Sequence, residues 1–235
     1  MKKLLSLFVA AFMLLAAGCS QGADVPTNSG EDSIVLPPSR VGEGIFDGVL
    51  AKMYTFETAF SEADAVVRIK VGNWLYEDTE SDLTYYESTV LQCFKGDMPE
   101  SFTLIQDGSS HETMEGYPLF TYGNELLLFL NQVTGPGDES IYWIIGSFTT
   151  VIDVSYDNNG NRYYADSYGI LGESVNISSN YADQSDLAQE VYNYTINSDP
   201  FLAEFSADQT DMSPYYHYIF SEFDINTLFD SYKMS

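Results

Sequence analysis

The chain is poor in basic residues, with 9 Lys and Arg against 35 Asp and Glu among 235 residues and a formal net charge of −26. A surface this negative repels phosphate backbones and anionic lipid headgroups. We therefore expect neither nucleic-acid binding nor electrostatic docking on a membrane. The charge is typical of a soluble surface that resists aggregation, and it also attracts cations or basic partners.

Cysteine and histidine are equally scarce, with two of each. The cysteines are Cys19 and Cys93, and the sequence around Cys93 predicts a buried, inert thiol inside a strand. His111 and His217 form no His-Glu-x-x-His pair, and the chain has no Gly-x-Ser-x-Gly, phosphate loop or Gly-x-Gly-x-x-Gly. We therefore expect no cofactor and predict a protein that is not an enzyme.

Only the N-terminus carries a long apolar run. Lys2 and Lys3 precede apolar residues from Leu4 to Leu15, and Ala16-Ala17-Gly18 precedes Cys19. The run is too short to span a bilayer, and its layout is that of an export signal. Small residues directly before a cysteine resemble the lipobox of bacterial lipoproteins. The resemblance implies removal of residues 1–18, lipid attachment to Cys19 through acyl chains, and anchoring on the extracytoplasmic face of a bacterial cell membrane. An ordinary secretory signal and an uncleaved anchor are the alternatives.

The remaining sequence divides by composition. Residues 19–41 are small, polar and proline-bearing and predict a flexible tether. Residues 42–170 predict one β domain, and residues 171–235 predict a C-terminal helical appendage packed on it. Loss of residues 1–18 would remove Lys2 and Lys3 and no acid, leaving seven basic and 35 acidic residues.

Patterning within residues 42–170 predicts a short helix followed by about seven strands. Helical spacing of Phe56, Ala59, Phe60 and Ala63 indicates the helix. The predicted strands are Ala65–Trp74, Leu83–Lys95, Ser101–Gln106, Glu125–Leu130, Ile141–Ile145, Val151–Tyr156 and Arg162–Ala165. Many short strands in so short a span favour a small barrel or sandwich.

Three finer predictions concern these strands. In the first, Val67, Ile69 and Val71 form the buried face, opposite Val66, Arg68 and Lys70. In the second, Tyr86, Val90 and Phe94 share one face. The run from Glu125 to Leu130 predicts a strand buried on both faces, with residues 141–145 as its hairpin partner.

The tail predicts two helices. One begins at Asp183 or Ser185 and places Leu187, Val191 and Tyr194 on one face. The other begins at Ser213-Pro214, with Tyr218, Phe220 and Phe223 packing from it. The aromatic run from Tyr215 to Tyr218 predicts partial core packing, with stacking on sugars or on a partner as the alternative.

Four segments resemble the netrin-like domain of tissue inhibitors of metalloproteinases and related bacterial exported proteins. They are Ala63–Val71, Thr84–Gly96, Ser101–Ile105 and Tyr122–Leu130, with Ala63-Asp64, Phe94-Lys95-Gly96 and Gly-x-x-x-Leu-Leu-x-Phe-Leu as signatures. The resemblance covers residues 60–150 and implies an OB-type barrel. In that family a free N-terminal cysteine chelates the zinc of the target. Cys19 would instead be acylated, and the family's disulfides are missing, so only the scaffold carries over.

Two acidic segments are candidate calcium sites, because carboxylates are the preferred ligands of Ca²⁺. The first is the loop bearing Glu77, Asp78, Glu80 and Asp82, and its alternative is a solvated loop. The second holds Asp157, Asn159 and Asn161, but Gly160 and Tyr168 stand at the wrong places for an EF-type loop. A hairpin turn is the alternative there.

The sequence as a whole predicts a membrane-anchored lipoprotein with a mainly β, OB-like barrel that acts as a binding or interaction module. Its expected partners are the membrane, through the lipid on Cys19, and an envelope or extracellular protein. The alternatives are a protease-inhibitor-like module, a weak calcium-binding surface protein and a hydrolase that uses acidic residues.

Overall fold

A computed structural model describes residues 34–40, 42–45, 52–114, 117–135, 137, 140–172 and 218–233. The strands in these ranges are β1 Gly44–Ile45, β2 Ala65–Asp78, β3 Leu83–Lys95, β4 Ser101–Asp107, β5 Glu112–Thr113, β6 Glu125–Gln132, β7 Ile141–Ile144, β8 Ile152–Tyr156, β9 Arg162–Asp166 and β10 Tyr218–Ser221. The helices are α1 Phe56–Glu62 and α2 Glu222–Lys233, with a 3-10 turn at Ser147–Thr150. None of the helices described is long and apolar enough to cross a bilayer.

Five strands close into a barrel. The pairing runs β6–β2–β3–β4–β7, and β7 returns to β6. Every pair is antiparallel except β4 with β7, which is parallel. This connectivity is that of an OB-like barrel. The predicted fold class, a mainly β, OB-like barrel with a short helix before it and a helix at the C-terminus, is confirmed.

Three more strands extend the sheet from β6. β8 pairs with β6, β9 with β8, and β10 with β9, all antiparallel. A chain of polar side chains runs through this extension. Arg68 and the Tyr156 hydroxyl both donate to Glu125. Arg162 donates to the Tyr156 hydroxyl and also pairs with Glu222 at the start of α2. The extension and α2 are thereby joined to the barrel wall.

The buried side chains form two cores on opposite sides of the barrel wall. The inner core fills the barrel, and the outer core lies between the wall, α1, β9, β10 and α2. β6 contributes to both, since Leu126, Leu128 and Leu130 point inward and Leu127 and Phe129 point outward. The prediction that this strand is buried on both faces is confirmed.

β2 differs from its prediction on the second face. Val66 is fully buried in the outer core, and Arg68 is only 8% exposed, whereas Lys70 is exposed. The prediction that β2 is buried on one face only is therefore wrong for the first half of the strand. Apolar–polar alternation identified the inner face, but the outer layer that covers Val66 comes from distant parts of the chain.

Phe94 does not share a face with Tyr86 and Val90. Tyr86 and Val90 contact the inner core, whereas Phe94 stacks on Phe229 of α2 with ring centroids 4.3 Å apart. The β2–β3 register shifts between Arg68 and Ile69 and again between Val66 and Val67. A bulge of one residue reverses the face on which the following side chains lie, which explains the wrong prediction.

The second predicted tail helix is also wrong where it is described. Tyr218–Ser221 forms strand β10, and the helix begins only at Glu222. Phe220 is fully buried, but Phe223 is 72% exposed. Alternating aromatic and β-branched residues suit a strand, and the side chain of Asp224 accepts from the Ser221 amide and so caps the helix start. The predicted helix from Asp183 or Ser185 lies outside the described residues.

The chain contacts the barrel before the predicted β domain begins. The Val35 carbonyl accepts from the Trp74 amide, Arg40 exchanges hydrogen bonds with Leu119, and Gly44 donates to the carbonyl of His111. β1 then pairs in parallel with β5. The predicted tether, residues 19–41, thus includes residues that lie against the barrel.

Lys95 and Gly96 fix α1 to the barrel. The ammonium of Lys95 donates to the carbonyls of Phe60, Ser61 and Ala63, at 2.5, 3.1 and 2.7 Å, where the helix leaves carbonyls without partners. Gly96 has a φ of +82°, and an added Cβ would lie 2.3 Å from the carbonyl oxygen of Asp64. The residues of the Ala-Asp and Phe-Lys-Gly signatures therefore meet at one corner and perform a structural task.

We expect Lys95→Met to lower the free energy of unfolding by about 2 kcal/mol, because the apolar stem remains while three charge-assisted hydrogen bonds are lost. Urea denaturation measures the change. Lys70→Met is the matched control, since Lys70 is exposed on β2, and should change stability by less than about 0.5 kcal/mol. Equal effects of the two substitutions would contradict the assigned role of Lys95.

Candidate binding surface

A row of exposed and half-buried aromatic and aliphatic side chains crosses four strands of the barrel. Tyr76 of β2 pairs with Tyr85 of β3, Tyr85 with Ile105 of β4, and Ile105 with Trp143 of β7. Cross-strand partners lie on the same face of a sheet. We call these four residues the aromatic row.

The row lies on the outside of the barrel. Its sequence neighbours Tyr86, Leu104 and Tyr142 all point into the inner core, so the alternating positions point outward. Tyr76 is 49% exposed and Trp143 is 42% exposed. The rings of Tyr76 and Tyr85 stack with centroids 4.2 Å apart and an interplanar angle of 16°. Large side chains that are held in place yet exposed are typical of binding surfaces.

Carboxylates flank the row on both sides. Two residues before Tyr85 and two residues after Ile105, the next outward positions form the line Asp78, Leu83 and Asp107 at one end of the strands. On the other side lie Glu87, Thr103 and Ile141. Glu87 and Asp107 are exposed. The surface is thus a line of rings and aliphatic groups between acidic edges.

The acidic loop between β2 and β3 is held by its own hydrogen bonds and by a neighbouring loop. Asp78 accepts from the amides of Glu80 and Ser81, which closes the turn. Glu77 accepts from the amide and hydroxyl of Ser110, and Asp82 accepts from the hydroxyl of Ser109. His111 Nδ1 lies 3.7 Å from Asp82. Glu80 is exposed.

The second calcium candidate is a hairpin turn between β8 and β9. The carboxylate of Asp157 accepts from the amides of Asn159 and Asn161 and from the side-chain amide of Asn161. Gly160 has a φ of +80° with open space around it. Within the described ranges, no group of three His, Cys, Asp or Glu is placed to hold a metal ion.

The remaining predicted residues are not members of the row. Cys19 and His217 lie outside the described residues, as do Tyr215 and Tyr216. Cys93 is a free, exposed cysteine whose thiol donates to the carbonyls of Lys95 and Gly96. Its predicted burial is therefore wrong. Desolvation raises the pKa of the Cys93 thiol, which disfavours the nucleophilic thiolate.

The sequence did not identify the aromatic row. Each member lies in a strand, and Tyr85, Ile105 and Trp143 stand beside buried neighbours. Only the pairing register brings Tyr76, Ile105 and Trp143 onto one line, and the sequence does not state that register. The signal available in the sequence was the presence of aromatic residues at outward positions of the predicted strands.

The domain that the structure describes is thus an OB-like barrel with the aromatic row on its outer wall. No protein-family model matches the chain, and no curated protein matches it.

Asp153 on β8 is a carboxyl group beside the barrel interior whose pKa is strongly raised. It pairs with Leu126 of the inner core. Desolvation raises the pKa of Asp153 to about 6, and the charge of Arg40 opposes the shift. The buried hydroxyl of Tyr117, in the same core, has no hydrogen-bond partner, and its pKa is raised by burial and by the charge of Asp153.

We expect Asp153 to make the fold less stable as pH rises from about 4 to about 6. The folded state holds this proton more tightly than the unfolded chain, whose aspartate titrates near 3.8, so its ionisation favours unfolding. Asp153→Asn should therefore gain stability relative to the parent across that window, by about 2 kcal/mol. Unfolding free energies measured along the window test this. Glu100→Gln, on an exposed turn, controls for the loss of one negative charge, and pH profiles of parent and Asp153→Asn that run parallel would contradict the assignment.

Proposed function

We propose that this protein is a lipid-anchored, extracytoplasmic binding module that engages a protein of the cell envelope or its surroundings through the aromatic row. The observation that carries the proposal is the outward alignment of Tyr76, Tyr85, Ile105 and Trp143 across four paired strands. The corresponding wall of OB-like barrels is the one on which other members bind their ligands.

The rigidity of the wall supports the assignment. The row stands on paired strands whose opposite face is packed in the inner core, so its side chains are held in place before a partner arrives. Little ordering is then needed on binding, which favours affinity. Aromatic side chains supply large contact areas with few rotatable bonds and are enriched at protein interfaces.

The anchor is proposed from the sequence of residues 1–19. Among the described residues, the first hydrogen bonds to the barrel are those of Val35. We propose that the small, polar residues from Ser20 to Ser33 separate the lipid on Cys19 from the domain. The strongly negative charge supports the same arrangement, because the lipid rather than the protein surface would hold the chain at an anionic membrane.

We expect Tyr76→Ala combined with Trp143→Ala to abolish capture of the partner from cell envelope while leaving the unfolding transition nearly unchanged, because neither side chain belongs to a core. Capture by the immobilised full chain, followed by identification of bound proteins, provides the measurement. Phe223→Ser is the matched control, since Phe223 is an exposed aromatic on α2, away from the row. Partners retained equally by both variants would remove the row as the binding surface.

We expect Cys19→Ser to release the protein from the membrane fraction, because the acyl chains would have no attachment site. Cell fractionation with metabolic labelling by a fatty acid measures both consequences. Cys93→Ser is the matched control and should stay membrane-bound and labelled, since the two residues are the only cysteines. Labelling or membrane association that persists without Cys19 would refute the anchor.

A further inference from the structure

The basic residues of the domain are almost all used within it. Seven Lys and Arg follow Cys19, and six of them contact groups of the protein itself. Arg40 donates to the Leu119 carbonyl and Lys95 to the end of α1, whereas the other four pair with carboxylates: Lys52 with Glu62, Arg68 with Glu125, Arg162 with Glu222, and Lys233 with Asp230. The seventh, Lys70, is exposed on β2.

This distribution leaves few cations to match the acidic surface. In the described part of the chain, the Lys and Arg pairs above use four carboxylate residues, Glu62, Glu125, Glu222 and Asp230. The outward positions beside the aromatic row also carry acids without cations. Glu87, Asp78 and Asp107 lie there, and no Lys or Arg occupies a paired position in the row or in the two lines that flank it. A partner meets rings bordered by uncompensated negative charge.

We infer that the aromatic row binds a basic segment of the partner protein, with arginine or lysine side chains lying over the rings and their charges directed toward Glu87 and Asp107. This inference rests on the proposed binding function of the row. The faces of Tyr and Trp rings attract cations, and nearby carboxylates add charge-assisted hydrogen bonds, bidentate for a guanidinium.

The dimensions of the row suit an extended segment. Adjacent strands lie about 4.8 Å apart, so four strands span roughly 14 Å. An extended chain places alternate side chains about 7 Å apart. A segment with basic residues at alternate positions therefore presents successive cations along the row, while Ile105 in its centre offers an aliphatic contact for their methylene stems.

Other ligand classes fit these observations less well. A nucleic acid can stack on the rings, but its phosphates are repelled by the flanking acids. A neutral sugar can stack as well, yet the acidic edges would give it no gain from their charge. An acidic protein segment is excluded by like-charge repulsion.

The test uses the full chain in detergent micelles and short synthetic peptides. The probe is a peptide of alternating arginine and serine, compared with a peptide of alternating glutamate and serine and with a neutral cello-oligosaccharide. Trp143 lies in the row and Trp74 is half-buried, so a change in tryptophan emission reports occupancy at the row. Calorimetric titration gives the affinity independently, and Trp143→Phe should remove most of the optical signal while retaining the heat.

We expect the arginine peptide alone to bind, with an affinity that falls as salt is added. Glu87→Gln with Asp107→Asn should weaken it about tenfold, as should Tyr76→Ala with Trp143→Ala. Glu100→Gln and Phe223→Ser, which alter an exposed acid and an exposed aromatic elsewhere, should leave the affinity unchanged. Loss of affinity in every variant alike would mark a nonspecific charge effect and overturn the inference.

Failure of the inference is distinguishable from failure of the proposed function. The proposed basic ligand is wrong if the sugar or the acidic peptide binds in place of the arginine peptide. It is also wrong if the arginine peptide does not bind although envelope capture depends on Tyr76 and Trp143. In both cases the proposed binding surface stands. If neither peptide binding nor envelope capture depends on the row, both proposals fall.

Discussion

Strand β6 is the constraint on which the rest of the structure depends. Its five residues from Leu126 to Leu130 are all buried, and it pairs with β2 on one side and with β7 and β8 on the other. The inward leucines require a closed barrel, and outward Leu127 and Phe129 require a second layer outside it. The chain supplies that layer with α1, β9, β10 and α2, so the barrel wall is covered on the β6 side.

Covering one side of the barrel leaves the proposed binding surface on the other side. The wall formed by the end of β2 with β3, β4 and β7 carries its large side chains outward at Tyr76 and Trp143, and both remain substantially exposed. The same division governs charge. Arg68, Lys95 and Arg162 hold the covered side together, which removes cations from the surface that remains open. The use of these cations on the covered side thus both stabilises that side and leaves the open side acidic.

Much of the fold could be predicted from local patterns, because strand alternation and turn residues are local properties. β3 has the predicted bounds, and Asp157 to Asn161 forms the predicted hairpin turn. Properties set by distant contacts could not be predicted. The bulges that turn Phe94 outward depend on pairing with β2, and the strand at Tyr218 depends on the free edge of β9. The aromatic row belongs to the second kind, since it exists only through the register of four strands.

The signatures that carry the netrin-like resemblance have a structural explanation. Asp64 accepts from the Gln132 amide, its own amide donates to Asn131, and its carbonyl leaves no room for a side chain at position 96. Lys95 ends α1 at the same corner. These contacts fasten a helix to a barrel whatever the barrel binds. Similar signatures in two proteins would therefore indicate a similar corner and say nothing about ligands. Recognition is proposed instead at outward positions such as Trp143, which is 42% exposed and belongs to neither core.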